Sequence, residues 1–261
     1  MTFGSLFSGI GGIDLGLERA GMVCKWQVEI NIFCQMILTK HWPGVPKHAD
    51  IKEVGGYNLE KVDLIAGGFP CQPYSKAGKR RGKDDDRYLW PEMLRVIREL
   101  KPTWVFCENV TGLLSINEGW VIEEVLSDLE SESYETMPPF IIPACGVDAD
   151  HKRDRLWILA YSHSGEHIKS VRRGNQAPDK IQKINKKEHS STGRSSRTST
   201  VRKASNGYTD EESCRSWITE PELGRVADGI PNRMDRLKSL GNAVVPQVVE
   251  LIGRAIIDNN R

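Results

Sequence analysis

Along the first 160 residues, short apolar runs alternate with stretches in which apolar positions recur every three or four residues. Residues 3–7 read as a strand, followed by a glycine-rich turn over 8–12 and a helix to about Ala20, where Gly21 supplies the stop. Residues 24–30 read as a second strand and 32–41 as a second helix. Residues 62–67 read as a buried strand by their flanks and their β-branched content. Pro91 opens a helix that carries Met93, Val96, Ile97 and Leu100 on one face, and Pro102 stops it. Residues 104–107 and 156–160 read as further strands. Strand and helix in alternation predict an α/β fold, a mostly parallel sheet with helices on both faces.

From about 162 to 216 the pattern dissolves into Ser, Thr, Gly, Lys and Arg, with no sustained period. Order returns at Asp235, and Pro246 begins a terminal helix with Val248, Val249, Ile252 and Ile256 facing inward. That helix is expected to pack back on the first lobe. The division is then a catalytic domain over 1–160, completed by 225–261, with 161–224 inserted between them.

Charge sharpens this division. The 261 residues carry a net charge of +1, yet eleven basic side chains stand against Asp179 and Glu188 between Lys169 and Lys203. That stretch is +9 and leaves −8 on the rest. Two readings stand: a solvated basic loop, or the one region that meets a polyanionic partner. The six cysteines have no paired spacing, so neither a disulfide framework nor a metal site is expected. No apolar run approaches the roughly 20 residues of a bilayer span, and the start lacks signal-peptide features, so a cytoplasmic, non-membrane protein is expected.

Two segments carry candidate chemistry. Phe7-Ser8-Gly9-Ile10-Gly11-Gly12 lies between a strand and a helix, where glycines let a ligand approach the backbone or simply allow tight packing. Glu29 falls at the end of the second strand, where a carboxylate can accept from both hydroxyls of a ribose. The spacing is not G-x-G-x-x-G, which favours an adenosine-type cofactor over a dinucleotide. In Gly67-Gly68-Phe69-Pro70-Cys71-Gln72-Pro73-Tyr74-Ser75, a strand runs into a loop that holds one cysteine between two prolines. Prolines fix φ, so this thiol is presented on a stiff loop at the carboxyl end of a sheet strand, as a nucleophile requires.

Residues 68–75 resemble the catalytic loop of the DNA (cytosine-5)-methyltransferases, and the resemblance continues in order along 1–160 and 236–261. It covers the Phe7–Gly12 turn, Glu29, Asp50-Ile51, Asp86-Arg87-Tyr88-Leu89, Glu108-Asn109-Val110, Arg153-Asp154-Arg155 and Gly241-Asn242-Ala243-Val244-Val245-Pro246. It implies a Rossmann-like methyltransferase fold with S-adenosylmethionine as cofactor and duplex DNA as partner. The implied reaction is methyl transfer to carbon 5 of cytosine through a Cys71 adduct with a flipped-out base. Cys71 would be the nucleophile and Glu108 the acid at ring nitrogen 3, its pKa raised by burial among neighbours such as Val105 and Val110. Arg155, with Arg153, would hold the exocyclic oxygen or a phosphate, or be plain surface charge. Cofactor contacts are implied for Phe7, Gly9, Gly11, Gly12, Glu29, Ile30, Asp50, Ile51, Pro70, Leu89, Asn242 and Val244. DNA contacts are implied for Gln72, Ser75, Lys79, Arg80, Arg81, Arg172 and Arg173, and 161–224 sits where the family keeps its target-recognition region.

The sequence departs from the family pattern in three places. His151 stands where glutamine is usual and is given no catalytic role. Residues 224–236 match the family's supporting segment poorly. The stretch 161–224 is short and poor in apolar residues for a lobe that folds alone, which points to ordering on DNA. A tRNA cytosine-5 methyltransferase and a catalytically silent DNA-binding relative are the other readings. The expected context is a monomer in a bacterial or phage setting, with a restriction endonuclease as a potential companion.

Overall fold

A computed structural model describes residues 1–70, 88–162 and 233–260. Strands β1 (Thr2–Leu6), β2 (Val23–Val28), β3 (Lys47–His48), β4 (Leu64–Gly67), β5 (Trp104–Val110), β6 (Tyr134–Thr136), β7 (Phe140–Pro143) and β8 (Asp154–Ser162) form one sheet. Its order is β3-β2-β1-β4-β5-β8-β6, with β7 also paired to β8. The five strands from β3 to β5 are parallel. β8 runs antiparallel to β5, and β6 and β7 lie antiparallel to β8 on its outer edge. The sheet is thus mixed, and its parallel half is the part that carries the site.

Helices cover both faces, as the alternation predicts. Along β5 the side chains alternate with period two. Val105 and Cys107 join the core under α3 (Trp90–Leu100) and α4 (Trp120–Ser131). Trp104 and Phe106 join the core under α1 (Gly12–Arg19) and α6 (Pro246–Asn259). Phe106 stacks on Trp157 across the strand pair, ring centroids 5.2 Å apart. A strand buried on both faces has no polar alternation, which is why 104–107 reads as a continuous apolar run.

The helix α2 (Ile32–His41) has the predicted bounds, with Asn31 accepting from the Cys34 N–H as its N-cap. α6 buries Val248, Val249, Ile252 and Ile256 as expected. The stretch Met234–Asn259 is, contrary to expectation, long and apolar enough to cross a bilayer by length and composition. It is two helices, α5 (Arg233–Asn242) and α6, separated by residues 243–245, and α6 turns its apolar face into the core. The inserted stretch 161–224 falls almost wholly outside the described residues.

Candidate active site

The sheet register places the site. Leu6 pairs with Val28 on one side and Gly67 on the other, and Gly67 pairs with Cys107. One residue beyond each member of this row come Glu29, Phe7, Gly68 and Glu108. The glycine turn, the acid after β2, the entry to the Cys71 loop and the acid on β5 therefore share the carboxyl edge of four adjacent parallel strands. This edge is also where the strand order reverses between β1 and β4, the general position of ligand sites in such sheets.

At the glycine turn, Phe7 takes φ 54°, Gly9 56° and Gly11 85°. Gly11 is the N-cap of α1, and a Cβ there would stand 2.4 Å from the Trp42 ring, so both backbone angle and space demand glycine. A Cβ at Gly9 would meet nothing within 4 Å, leaving open space above the turn. Glu29 spans the turn, accepting from the Gly9 N–H at 2.7 Å and from the Asn31 N–H at 2.8 Å through its other oxygen. Each carboxylate oxygen keeps a second lone pair for a ligand hydroxyl. Ile30 beside it is 70% exposed. The Val244 side chain and backbone close on Gly12 from the other side, 3.0–3.3 Å from where its Cβ would be.

At the neighbouring strand ends, Glu108 is 9% exposed and Arg155 Nε donates to its Oε1 at 2.8 Å. Burial pushes the Glu108 carboxyl up to about 7, in spite of Arg155 and Arg153, which both pull it down. Its Oε2 lies over Gly68, 2.8 Å from where a Cβ would stand. Asn109 donates to the Phe69 carbonyl at 3.0 Å, and Phe69 packs its ring on Trp90 at 5.1 Å. The chain is thus fixed on both sides of Gly68, three residues before Cys71.

Residues 1–222 match the C-5 cytosine-specific DNA methylase family. The chain belongs to that family. Similar proteins include the Type II methyltransferase M.HhaI of Haemophilus parahaemolyticus, 30% identical over 62% of this chain and 49% of its own. M2.BsuMI of Bacillus subtilis is 35% identical over 60% and 41%. Among solved structures, a DNA modification methyltransferase encoded within an E. coli prophage aligns with TM-score 0.54 and 26% identity, over 62% of this chain and 47% of that one. The DNMT2 structure from Spodoptera frugiperda, 20% identical with TM-score 0.54, supports the fold alone. The chain spans less than half the length of the curated relatives it matches.

The structure brings Phe7, Gly9, Gly11, Gly12, Glu29, Pro70, Glu108 and Arg155 to one edge. Several sequence expectations are revised. Val110 is 43% exposed and does not bury Glu108; the closure comes from Gly68 and Arg155. Ile51 is 4% exposed within the core, and its carbonyl accepts from Arg95, so of that pair only Asp50 is partly open. Asp50 itself accepts from the Lys52 N–H as a cap. Leu89 is the half-buried N-cap of α3, and Asn242 is exposed at the end of α5. Arg153 does not accompany Arg155 onto Glu108. Its guanidinium donates to the carbonyls of Gly241 and Ala243. Cys71, Gln72, Ser75, Lys79, Arg80, Arg81, Arg172 and Arg173 lie outside the described residues.

Sequence reasoning missed Asn109 as an anchor of the loop and Asp14 beneath the glycine turn. Asp14 is fully buried and accepts from Ser5 Oγ at 3.1 Å and Gln27 Nε2 at 2.8 Å. An acid in the first turn of an amphipathic helix reads as an exposed dipole partner, which hid it. No group of three or more His, Cys, Asp or Glu among the described residues could hold a metal ion.

Proposed function

We propose that this protein methylates carbon 5 of cytosine in duplex DNA, with S-adenosylmethionine as the methyl donor. The observation that carries the reading is the shared edge, with a buried acid and its arginine one strand from the anchored entry to the Cys71 loop and two from an open glycine turn closed by Glu29. The open space at Gly9 and the oxygens of Glu29 fit an adenosyl cofactor, which Phe7, Gly9, Glu29, Ile30, Asp50 and Val244 would hold. When bound, S-adenosylmethionine supplies an electrophilic methyl group to carbon 5.

The chain's own residues make carbon 5 reactive. The Cys71 thiolate adds to carbon 6 of the flipped-out base, which places electron density on carbon 5. Glu108, protonated near neutral pH, donates to ring nitrogen 3 and stabilises that addition. Arg155 fixes the Glu108 rotamer through Oε1, its Nη1 donates to the Asp154 carbonyl, and its Nη2 would reach the base. Loss of the carbon 5 proton to a base then expels the cysteine and restores the ring.

We further propose a companion restriction endonuclease and a cytoplasmic monomer on DNA. The test is transfer of labelled methyl to unmethylated duplex DNA, with tRNA in parallel and Cys71→Ser as control. Label recovered as 5-methylcytosine in DNA, and lost in Cys71→Ser, is the expected result. Label on tRNA alone, or none on either with folded protein, would overturn it.

A further inference from the structure

Arg153 stands one residue before β8, in the left-handed region at φ 30°. Non-glycine residues rarely stay there unless the surroundings hold them, so the conformation points to a specific task for the side chain. Its Nη2 donates to the Gly241 carbonyl at 2.6 Å and also to that of Ala243. These carbonyls belong to the last turn of α5 and the residue just past it, where helix carbonyls lack intrahelical donors and the dipole is negative. A guanidinium there satisfies two such groups with a favourable charge.

The held segment leads directly to the glycine turn. Asn242 lies between the two carbonyls, and the next residue but one, Val244, covers Gly12. Val244 is 9% exposed in the core shared with Ile13 and Val248, so packing holds its side chain against Gly12. The backbone that leads into it is held by Arg153. At its own end Arg153 is two residues from Arg155, whose guanidinium binds Glu108. The start of β8 therefore touches both halves of the site, the acid on β5 through Arg155 and the wall of the glycine turn through Arg153.

We propose that Arg153 is a positioning residue, which holds the 241–244 segment against the glycine turn and so shapes the cofactor side of the site rather than contacting DNA. The proposal rests on the cofactor reading above and assigns a different task from that of Arg155.

The test uses the full chain, with calorimetric binding of S-adenosylhomocysteine and, separately, duplex DNA binding without cofactor by fluorescence anisotropy. For Arg153→Ala, loss of two charge-assisted hydrogen bonds predicts an S-adenosylhomocysteine Kd raised about tenfold or more. DNA affinity stays within about twofold, because the lost contacts are internal rather than to phosphate. In turnover the KM for S-adenosylmethionine rises, while the KM for DNA does not. Arg153→Lys keeps the charge and can reach both carbonyls, so it restores most of the affinity. If Arg153→Ala does not fold, Arg153→Gln, which keeps a neutral amide NH2 but no charge, carries the same comparison. Unchanged S-adenosylhomocysteine binding with weakened DNA binding overturns the proposal and puts Arg153 on the nucleic acid. If the native chain does not bind S-adenosylhomocysteine, the cofactor reading fails first and this proposal with it.

Discussion

Arg155 Nε lies 2.8 Å from Glu108 Oε1, yet the carboxyl is pushed up to about 7 rather than down. A cation at that distance favours the ionised acid; burial at the end of β5 disfavours it by more. The outcome is an acid that still carries its proton near neutral pH and has a fixed orientation. Activity that depends on protonated Glu108 therefore declines as pH rises through about 7. In Arg155→Met the opposing cation is gone, so the Glu108 pKa moves higher still and the alkaline limb moves with it, at a lower overall rate. Carbon-13 NMR of the Glu108 carboxyl across pH in both proteins measures this directly, and a lower midpoint in Arg155→Met would refute the account.

Asn109 should matter as much for the loop as Glu108 does for the base. Its Nδ2 donates to the Phe69 carbonyl and its Oδ1 accepts from the Val110 N–H, so one side chain ties the end of β5 to the residue two before Cys71. Asn109→Ala leaves a buried carbonyl without its donor, which costs about 1–3 kcal/mol. Methyl transfer falls by more than the stability loss explains, since the thiol is no longer delivered from a fixed anchor. Asn109→Asp loses the donor and sets a carboxylate against the Phe69 carbonyl, and is expected to be worse than Ala. Thermal unfolding alongside single-turnover rates separates the two effects; equal rates in wild type and Asn109→Ala would remove the role.

Much of this was legible in the sequence, for identifiable reasons. α2 and α6 carry strong local signals, Asn31 as an N-cap and Pro246 in the first turn, so their bounds can be read without the fold. The site edge could be read because the glycine turn follows a strand and Glu29 and Glu108 stand close to the carboxyl ends of strands. What was hidden depends on partners far along the chain. α4 follows an irregular stretch, and its buried face of Val121, Ile122, Val125 and Leu129 gains meaning only against β6 and α3, which the chain brings to it in the fold. The reversed direction of β8 is invisible in its own residues, because a strand buried on both faces looks alike in either direction. Arg153 was assigned with Arg155 because the two resemble the family's arginine pair, whereas the residues it binds lie 88 and 90 positions away.

The packing of α1 on α6 offers a test of the core that holds the glycine turn. A Cβ at Gly16 would lie 2.5 Å from the Val249 Cβ and 2.6 Å from the Pro246 carbonyl oxygen. Neither can swing away, since one is a branched side chain at its root and the other is backbone. Gly16→Ala must therefore push α6 outward, at a cost of about 1–3 kcal/mol despite the better helix propensity of alanine. Because α6 follows Val244, cofactor affinity falls as well. Urea unfolding shows the first effect and calorimetry the second; a Gly16→Ala protein of native or greater stability would mean that the helices are not in contact there.

Asp14 gives the last prediction, and its sign is the reverse of a surface carboxylate's. The side chain is fully buried under the glycine turn, where Ser5, Gln27 and, at 3.7 Å, Cys24 donate to it. Burial outweighs these hydrogen bonds and pushes the acid up from 3.8 to about 6. The folded protein therefore binds a proton that the unfolded chain has already released between these two values. Its contribution to stability is complete below about pH 4 and is lost as pH rises through about 6. Asp14→Asn is nearly isosteric and carries no charge. Its amide oxygen accepts from Gln27, while its NH2 can donate to Ser5 Oγ, a hydroxyl free to turn from donor to acceptor. The difference in unfolding free energy between native and Asp14→Asn, from urea titrations between pH 4 and 8, should then shift in favour of the variant as pH rises to about 6 and level off above it. Taking the difference cancels the groups that titrate alike in both proteins. A difference that stays flat from pH 4 to 8 would show that Asp14 is ionised throughout, and that the polar cluster beneath the glycine turn holds a full negative charge.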